Sequence, residues 1–357
     1  MQLERYDSPY YVIYSDLGRD AVREASIRLT KMFQEYTRRT SAFTVRINEK
    51  LPFYMFREPA DYMAAGGLPG SAGVFKGDRL MATVRPADGS AAWHIVQHEG
   101  FHQFVDRVIG SSLPVWVDEG LAEYFGAAAF TGDAFVTGLV PPWRLVRIKE
   151  KIKRGSLPPL DEMMRLTRIE WNQRMAGNDY DQAWSMVQFL AHAHAGKYEK
   201  PFNAFLQDAG RTGVWDKAWI KHFGAGTKQF DEVWRDYWLS LPDNPTADLY
   251  AKSTVATLTS FLARAVSQGQ RFTSAESYFA QAMAGELRFY KDDWLPNSLL
   301  AEALAEVDRF TECVVGAQGR QAAELACTMA NGTRVEGTSA IRKRRVERVE
   351  TTIIPGG

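Results

Sequence analysis

The chain has almost no cysteine. Cys313 and Cys327 both sit near its C-terminal end, far from its histidine-rich stretch. That argues against a thiolate metal site among the histidines. The pair reads as two buried thiols, with a local disulfide as the alternative, and fixes no redox compartment. Charge of one sign is also lacking: 43 basic residues face 43 acidic ones, with six histidines besides. This balance gives no electrostatic reason to expect nucleic acid or an anionic membrane as partner. Runs of about 18 apolar residues are absent, so no membrane-spanning helix is expected. No repeat or low-complexity tract occurs. The opening MQLERYDS is polar and reads as no signal peptide. The compartment stays open: extracytoplasmic if a leader has been removed, cytoplasmic otherwise.

What is present suits a sizeable core. Of 357 residues, 45% are hydrophobic and 12% aromatic, which favours two domains or one large domain with an appendage. The N-terminal part mixes strand and helix patterns. PYYVIYSD (9–16), FTVRIN (43–48) and LPFYMF (51–56) read as strands, with amphipathic helices over 20–38 and 58–65. AGVFKGDRLMATVR (72–85) reads as a hairpin turning at Gly77-Asp78. Asp88-Gly89-Ser90 supplies a turn and an N-cap for a helix over 91–109, which Gly110 stops. Helices are then expected over 114–129, 143–155, 160–167, 179–194, 198–210 and 227–241. LPDNPTAD (241–248) reads as a linker, followed by helices over 249–268 and 273–308. The last segment alternates polar and apolar residues, with turns expected at Asn331-Gly332 and Glu336-Gly337. The expected class is α+β. Residues 1–245 form the main domain, with an α/β part (1–90) and a helical part (91–245). A helical extension (246–310) and a small antiparallel β module (311–357) follow.

The chemistry concentrates in WHIVQHEGFHQF (93–104). On a helix, His98 and His102 stack on one face and can aim ring nitrogens at one metal ion, while Glu99, about 100° round, can reach a water there. A histidine stripe that also includes His94 is what a half-buried structural face looks like too, and His94 is read as structural. Zinc needs a third donor. Glu119, in WVDEGLAEYF (116–125), follows at a gap that fits helix, loop, helix. Glu123, four residues on, shares its face and can accept the spare N–H of a ligand histidine. Asp118 points about 100° away and is expected to face solvent or cap backbone. Gly100 and Gly120 are read as points of close backbone approach. Tyr180 is a candidate hydroxyl donor to an oxyanion, and His192, His194 and His222 are weaker general-acid candidates.

HEGFH followed by WVDEGLAEYF resembles the gluzincin zinc peptidases, the group that includes thermolysin and aminopeptidase N. The resemblance implies a zincin-like fold, one Zn²⁺ held by His98, His102 and Glu119, and Glu99 as general base. It also implies a supporting role for Glu123 and a catalytic role for Tyr180, which opens YDQAWSMVQFL (180–190). More loosely, residues 8–241 look like bacterial peptidase-MA-like domains. The chain departs from the aminopeptidases in one respect: RLMATVRP (79–86) lacks the Gly-x-Met-Glu-Asn segment that holds a free amine. The resemblance therefore implies peptide or protein substrates cut internally, with an extended substrate pairing along strand 79–85 if that strand lies at a sheet edge. The competing reading is a non-catalytic binding or cell-surface module with structural zinc. The basic cluster IRKRRVERV (341–349) is broken by Glu347 and reads as a charged strand face, so no nucleic acid is expected. Oligomeric state is left open.

Overall fold

Along 11–15, Tyr11, Ile13 and Ser15 are buried while Val12 and Tyr14 are half-buried, the period-two pattern of a strand with one covered face. This computed structural model describes residues 2–40, 43, 49–85, 89–109, 113–174, 177–224, 226–319 and 321–356. The expected strand over 43–48, the expected N-cap over 88–90 and the stop at Gly110 fall on or beside positions outside the described residues. The chain divides into two units. One holds residues 1–18, 32–128 and 140–245, and the other 19–31, 129–139 and 246–357.

The first unit begins with β1 (Glu4–Asp7) and β2 (Tyr11–Ser15). Helix α1 (Arg19–Arg39) contributes residues 32–39 to this unit, then β3 (Leu51–Phe56), α2 (Pro59–Ala64), β4 (Gly73–Lys76) and β5 (Arg79–Thr83) follow. The five strands form one sheet in the order β1-β2-β3-β5-β4. β2, β3 and β5 run parallel, and β1 and β4 are antiparallel partners at the two edges. Strand 79–85 is therefore interior over 79–83, so the condition for substrate pairing along it is not met; among the described residues the sheet edge beside the site is β4. The hairpin turns at Gly77 with φ +68°, a left-handed position that glycine adopts without a Cβ clash.

The helical part of the unit is α3 (Gly89–Phe104), continued by a π-helical turn over Val105–Ile109, then α4 (Val115–Gly126). Further on are α5 (Pro142–Lys153), α6 (Leu160–Met164), α7 (Arg168–Arg174), α8 (Gly177–Gly196), α9 (Glu199–Thr212), α10 (Trp215–Phe223) and α11 (Thr227–Ser240). Helices α7 and α10 were not foreseen. The polar side chains of α3 fix its place. Gln97 Nε2 donates to the carbonyls of Phe125, Gly126 and Ala128 at 2.9, 3.1 and 3.1 Å, satisfying the open C-terminal end of α4. Gln103 Nε2 donates to Pro52 O at 2.9 Å, tying α3 to the sheet. Around them Tyr36, Phe101, Phe104 and Phe125 interlock at centroid distances of 4.9–5.4 Å.

The second unit holds the ribbon β6 (Ala129–Phe130) and β7 (Phe135–Val136), with α12 (Ala247–Ser267), α13 (Ala275–Met283) and α14 (Asn297–Leu304). It ends in an antiparallel sheet of β8 (Phe310–Gln318), β9 (Ala323–Met329), β10 (Arg334–Arg342) and β11 (Arg345–Ile354), ordered β11-β10-β9-β8. α12 packs on β9, β10 and β11. Arg264, buried, forks onto Asp133 at 2.9 Å twice and meets Asp293 at 3.0 Å. Three expectations are corrected here. The single helix over 273–308 is two, separated by a loop over 284–296 that contains Gly285 (φ +70°) and ends at Pro296. The expected turn at Glu336-Gly337 lies inside β10, where a Cβ on Gly337 would come 2.1 Å from Thr259 Oγ1 of α12. Cys313 and Cys327, directly opposite on β8 and β9, form a disulfide rather than two thiols. The whole is the α+β class expected. Among the described residues no helix is long and apolar enough to cross a membrane.

Candidate metal centre

The α-helical register of α3 places His98 and His102 one turn apart, their Nε2 atoms 3.2 Å from each other. Glu119, in the second turn of α4, brings Oε2 to 3.5 Å from His98 Nε2 and 3.4 Å from His102 Nε2. Donors about 2.0–2.1 Å from a tetrahedral zinc are spaced about 3.3 Å apart, so this triangle has the size of such a site. Glu119 Oε2 is buried and accepts no hydrogen bond. A buried carboxylate oxygen without a hydrogen bond is costly, and a cation between it and the two imidazoles would satisfy it. These three residues could therefore hold a metal ion. Two imidazoles and one carboxylate are a donor set that zinc accepts.

Each histidine is oriented from behind by a carboxylate, and each of those carboxylates is gripped by an arginine. His102 Nδ1 lies 3.0 Å from Asp118 Oδ1, and Asp118 Oδ2 accepts from Arg168 Nη2. His98 Nδ1 lies 3.4 Å from Glu123 Oε1, and Glu123 Oε2 accepts from Arg144 Nη2 at 2.5 Å. Arg144 lies over the Trp184 ring at 4.7 Å and donates to Asp181, which also receives Lys151 at 2.6 Å and Arg147. Asp118 is thus a correction: it is 8% exposed and faces His102, not solvent. The wheel argument failed because α4 is buried on every side, leaving no solvent face for an off-stripe residue to occupy. His94 stays outside the triangle, with Nε2 3.6 Å from Glu123 Oε2.

The electrostatics follow from this crowding. Burial works against charge on His98, but the Glu119 and Glu123 carboxylates beside its two ring nitrogens outweigh it and lift the pKa to about 9. His102 is likewise raised, burial being outweighed by Asp118 and Glu119. Glu119 and Glu123 are held well below the usual carboxylate range; burial opposes this, and the histidines, with Arg144 beside Glu123, overcome it. The negative charge that favours protonation of the imidazoles would equally favour a cation among them.

Glu99, next to His98, points to the sheet. Its Oε2 accepts from Phe75 N of β4 at 2.8 Å. The cleft over the donors has a volume of about 570 Å³, and Phe75, Glu99, Asp106, Arg168, Asn172 and Tyr180 line it with the donors. Tyr180, in the first turn of α8, packs edge-on against Trp171 at 5.4 Å and lies 6.3 Å from the His98 ring, centroid to centroid. Burial, followed by the negative field of Glu119, pushes its hydroxyl up to about 12. The other histidines lie elsewhere. His192 Nε2 hydrogen-bonds with the Tyr124 hydroxyl at 2.9 Å, His222 pairs with Asp208 at 2.7 Å, and His194 packs among Phe189, Tyr198 and Tyr237.

Of the two glycines, Gly120 is the point of close approach. A Cβ there would lie 2.6 Å from Ala183 O of α8, whereas at Gly100 it would meet Tyr36 Oη at 3.4 Å and Leu80 Cδ2 at 3.7 Å. A backbone carbonyl cannot yield as a side chain can, so Gly120→Ala should push α4 from α8. The expected cost is about 1–3 kcal/mol, less the roughly 1 kcal/mol gained in helix propensity. Gly100→Ala, at near-ordinary contact, should be neutral or stabilising. Thermal denaturation of both variants checks this. Equal melting temperatures would refute the packing account.

Sequence reading missed Arg168 and Arg144, which arrive from elements distant along the chain. A signal for Arg168 was present. Thr-Arg-Ile-Glu (167–170) is a capping box, in which Glu170 N donates to Thr167 Oγ1 at 3.3 Å and Thr167 N to Glu170 Oε2 at 2.8 Å. It starts α7 at Arg168, and buried Trp171 anchors the helix. Arg144 offered no comparable mark. No curated protein matches the chain. Residues 92–212, from within α3 to the end of α9, match the family described as "Protein of unknown function (DUF1570)", and all the residues of the centre named above except Phe75 lie within that stretch.

Proposed function

We propose that the chain is a zinc-dependent peptidase of the gluzincin type that hydrolyses internal peptide bonds. The observation that carries this reading is the 3.2–3.5 Å donor triangle, whose buried carboxylate oxygen accepts no hydrogen bond, opening on a cleft that Glu99 also lines. His98, His102 and Glu119 would hold the ion. Bound zinc supplies Lewis acidity, which acidifies water and polarises a carbonyl oxygen.

The chain's own groups account for the rest. Phe75 N–H fixes one oxygen of Glu99, leaving the other to take a proton from the attacking water and return it to the leaving amine. Tyr180 donates its hydroxyl hydrogen to the oxyanion as charge develops there. The antiparallel register turns the backbone of Gly73 and Phe75 away from β5. Ser71 Oγ occupies both polar groups of Gly73, while the Phe75 carbonyl beside the cleft is the group an extended substrate would pair with. Structural zinc, the competing reading, is normally closed by four protein ligands, and here three donors face a cleft. The endopeptidase assignment rests on the missing amine-binding segment.

The test is hydrolysis of casein and a quenched peptide library, with metal analysis of the same sample. Expected are one zinc per chain, loss of cleavage on treatment with a chelator, and recovery with added zinc. Cleavage indifferent to metal removal would overturn the mechanism, and a zinc-loaded protein that cleaves nothing would favour a binding module.

A further inference from the structure

This inference rests on the zinc reading and concerns how Glu119 would bind the ion. A carboxylate can offer a metal one oxygen or both, and the choice decides how much of the coordination sphere is left for water and substrate. Glu119 has its two oxygens in different environments. Oε1 accepts from Arg168 Nη1, while Oε2 is buried, without a hydrogen bond, and faces both imidazoles. The same guanidinium reaches the neighbouring carboxylate through Nη2, on Asp118 Oδ2, and the other oxygen of Asp118 lies 3.0 Å from His102 Nδ1.

Asp118 and Glu119 are consecutive on a helix and diverge by about 100°. One planar fork spans them, so a single side chain governs two of the three donors: Glu119 directly and His102 through Asp118. Lysine would do this less well, because an ammonium is a compact point charge without the planar fork. Arg168 is well placed for the task. It is the first residue of α7, whose start is fixed by the Thr167–Glu170 box and whose body is held by buried Trp171. Its side chain is 45% exposed, so substituting it leaves no cavity in the core.

We propose that Arg168 is a positioning residue that makes Glu119 a one-oxygen ligand by occupying Oε1, keeping the ion at three protein donors with room for water.

The test compares wild type, Arg168→Lys and Arg168→Ala by chelator competition for zinc and by the visible spectrum of the cobalt(II)-loaded protein, with circular dichroism as the folding control. Four-coordinate cobalt(II) absorbs more strongly than five-coordinate cobalt(II). R168A should bind zinc about 10–100-fold more weakly, with weaker, shifted cobalt bands as the second oxygen of Glu119 enters the sphere. R168K should recover part of the affinity but keep the altered spectrum. A wild-type spectrum in R168A at saturating cobalt overturns the proposal, as does R168K matching wild type in both measurements. Wild-type protein that binds neither ion sinks the zinc reading itself. Bound metal with indifferent variants sinks this inference alone.

Discussion

Replacing Glu99 with glutamine should lower kcat for peptide hydrolysis by about 10³-fold, within the 10²–10⁴-fold range of a positioned general base, while zinc content stays at the wild-type level. Glutamine keeps the size of the side chain, and its carbonyl oxygen can still accept from Phe75 N, where Glu99 Oε2 sits at 2.8 Å. What it cannot do is take a proton. Glu99 is not among the three donors, so the ion has no reason to leave. The two readouts must therefore separate. Metal analysis and a peptide assay on one preparation check this. A variant that keeps hydrolysis within about tenfold of wild type would remove the general-base role, and one that loses zinc would mean that Glu99 supports the donors instead.

How much of this was legible depended on whether the determining contacts were local. The spacing of His98 and His102 is a property of one helix, and a four-residue interval on a helix leaves little freedom. The hairpin at Gly77 was similarly fixed by its own two residues. Glu119 was within reach because the intervening chain is short. Asp118 was misread because helical-wheel reasoning assumes a wet face, and α4 has none. Arg144 and Arg168 act across 21 and 49 residues of sequence, and nothing in their immediate neighbours names the carboxylate they will grip. The break between α13 and α14 was marked by Gly285 and Pro296, yet the apolar periodicity on either side masked it. Gly337 looks like a turn residue by type, but its requirement is tertiary: α12 comes too close for any Cβ. Local rules thus gave the three candidate donors, and long-range packing decided what orients them.

Tyr180→Phe tests the remaining catalytic assignment. If the hydroxyl donates to the oxyanion, kcat should fall about 10²–10³-fold, which is about 2.7–4 kcal/mol of transition-state stabilisation. KM should stay near wild type, because the bond forms as charge develops and not in the ground state. Phenylalanine retains the ring that packs edge-on against Trp171 at 5.4 Å and lies 6.3 Å from His98, so a purely structural role for Tyr180 predicts little change in either constant. Zinc affinity and the cobalt(II) spectrum should be unaltered, since the hydroxyl is not one of the donors. This separates Tyr180 from Arg168, whose loss is expected to reach the metal. Combined with Glu99→Gln, the effect should be less than multiplicative, because base and oxyanion donor serve one transition state. A Tyr180→Phe variant with wild-type kcat would leave stabilisation of the oxyanion to the ion alone and reduce Tyr180 to a wall of the cleft.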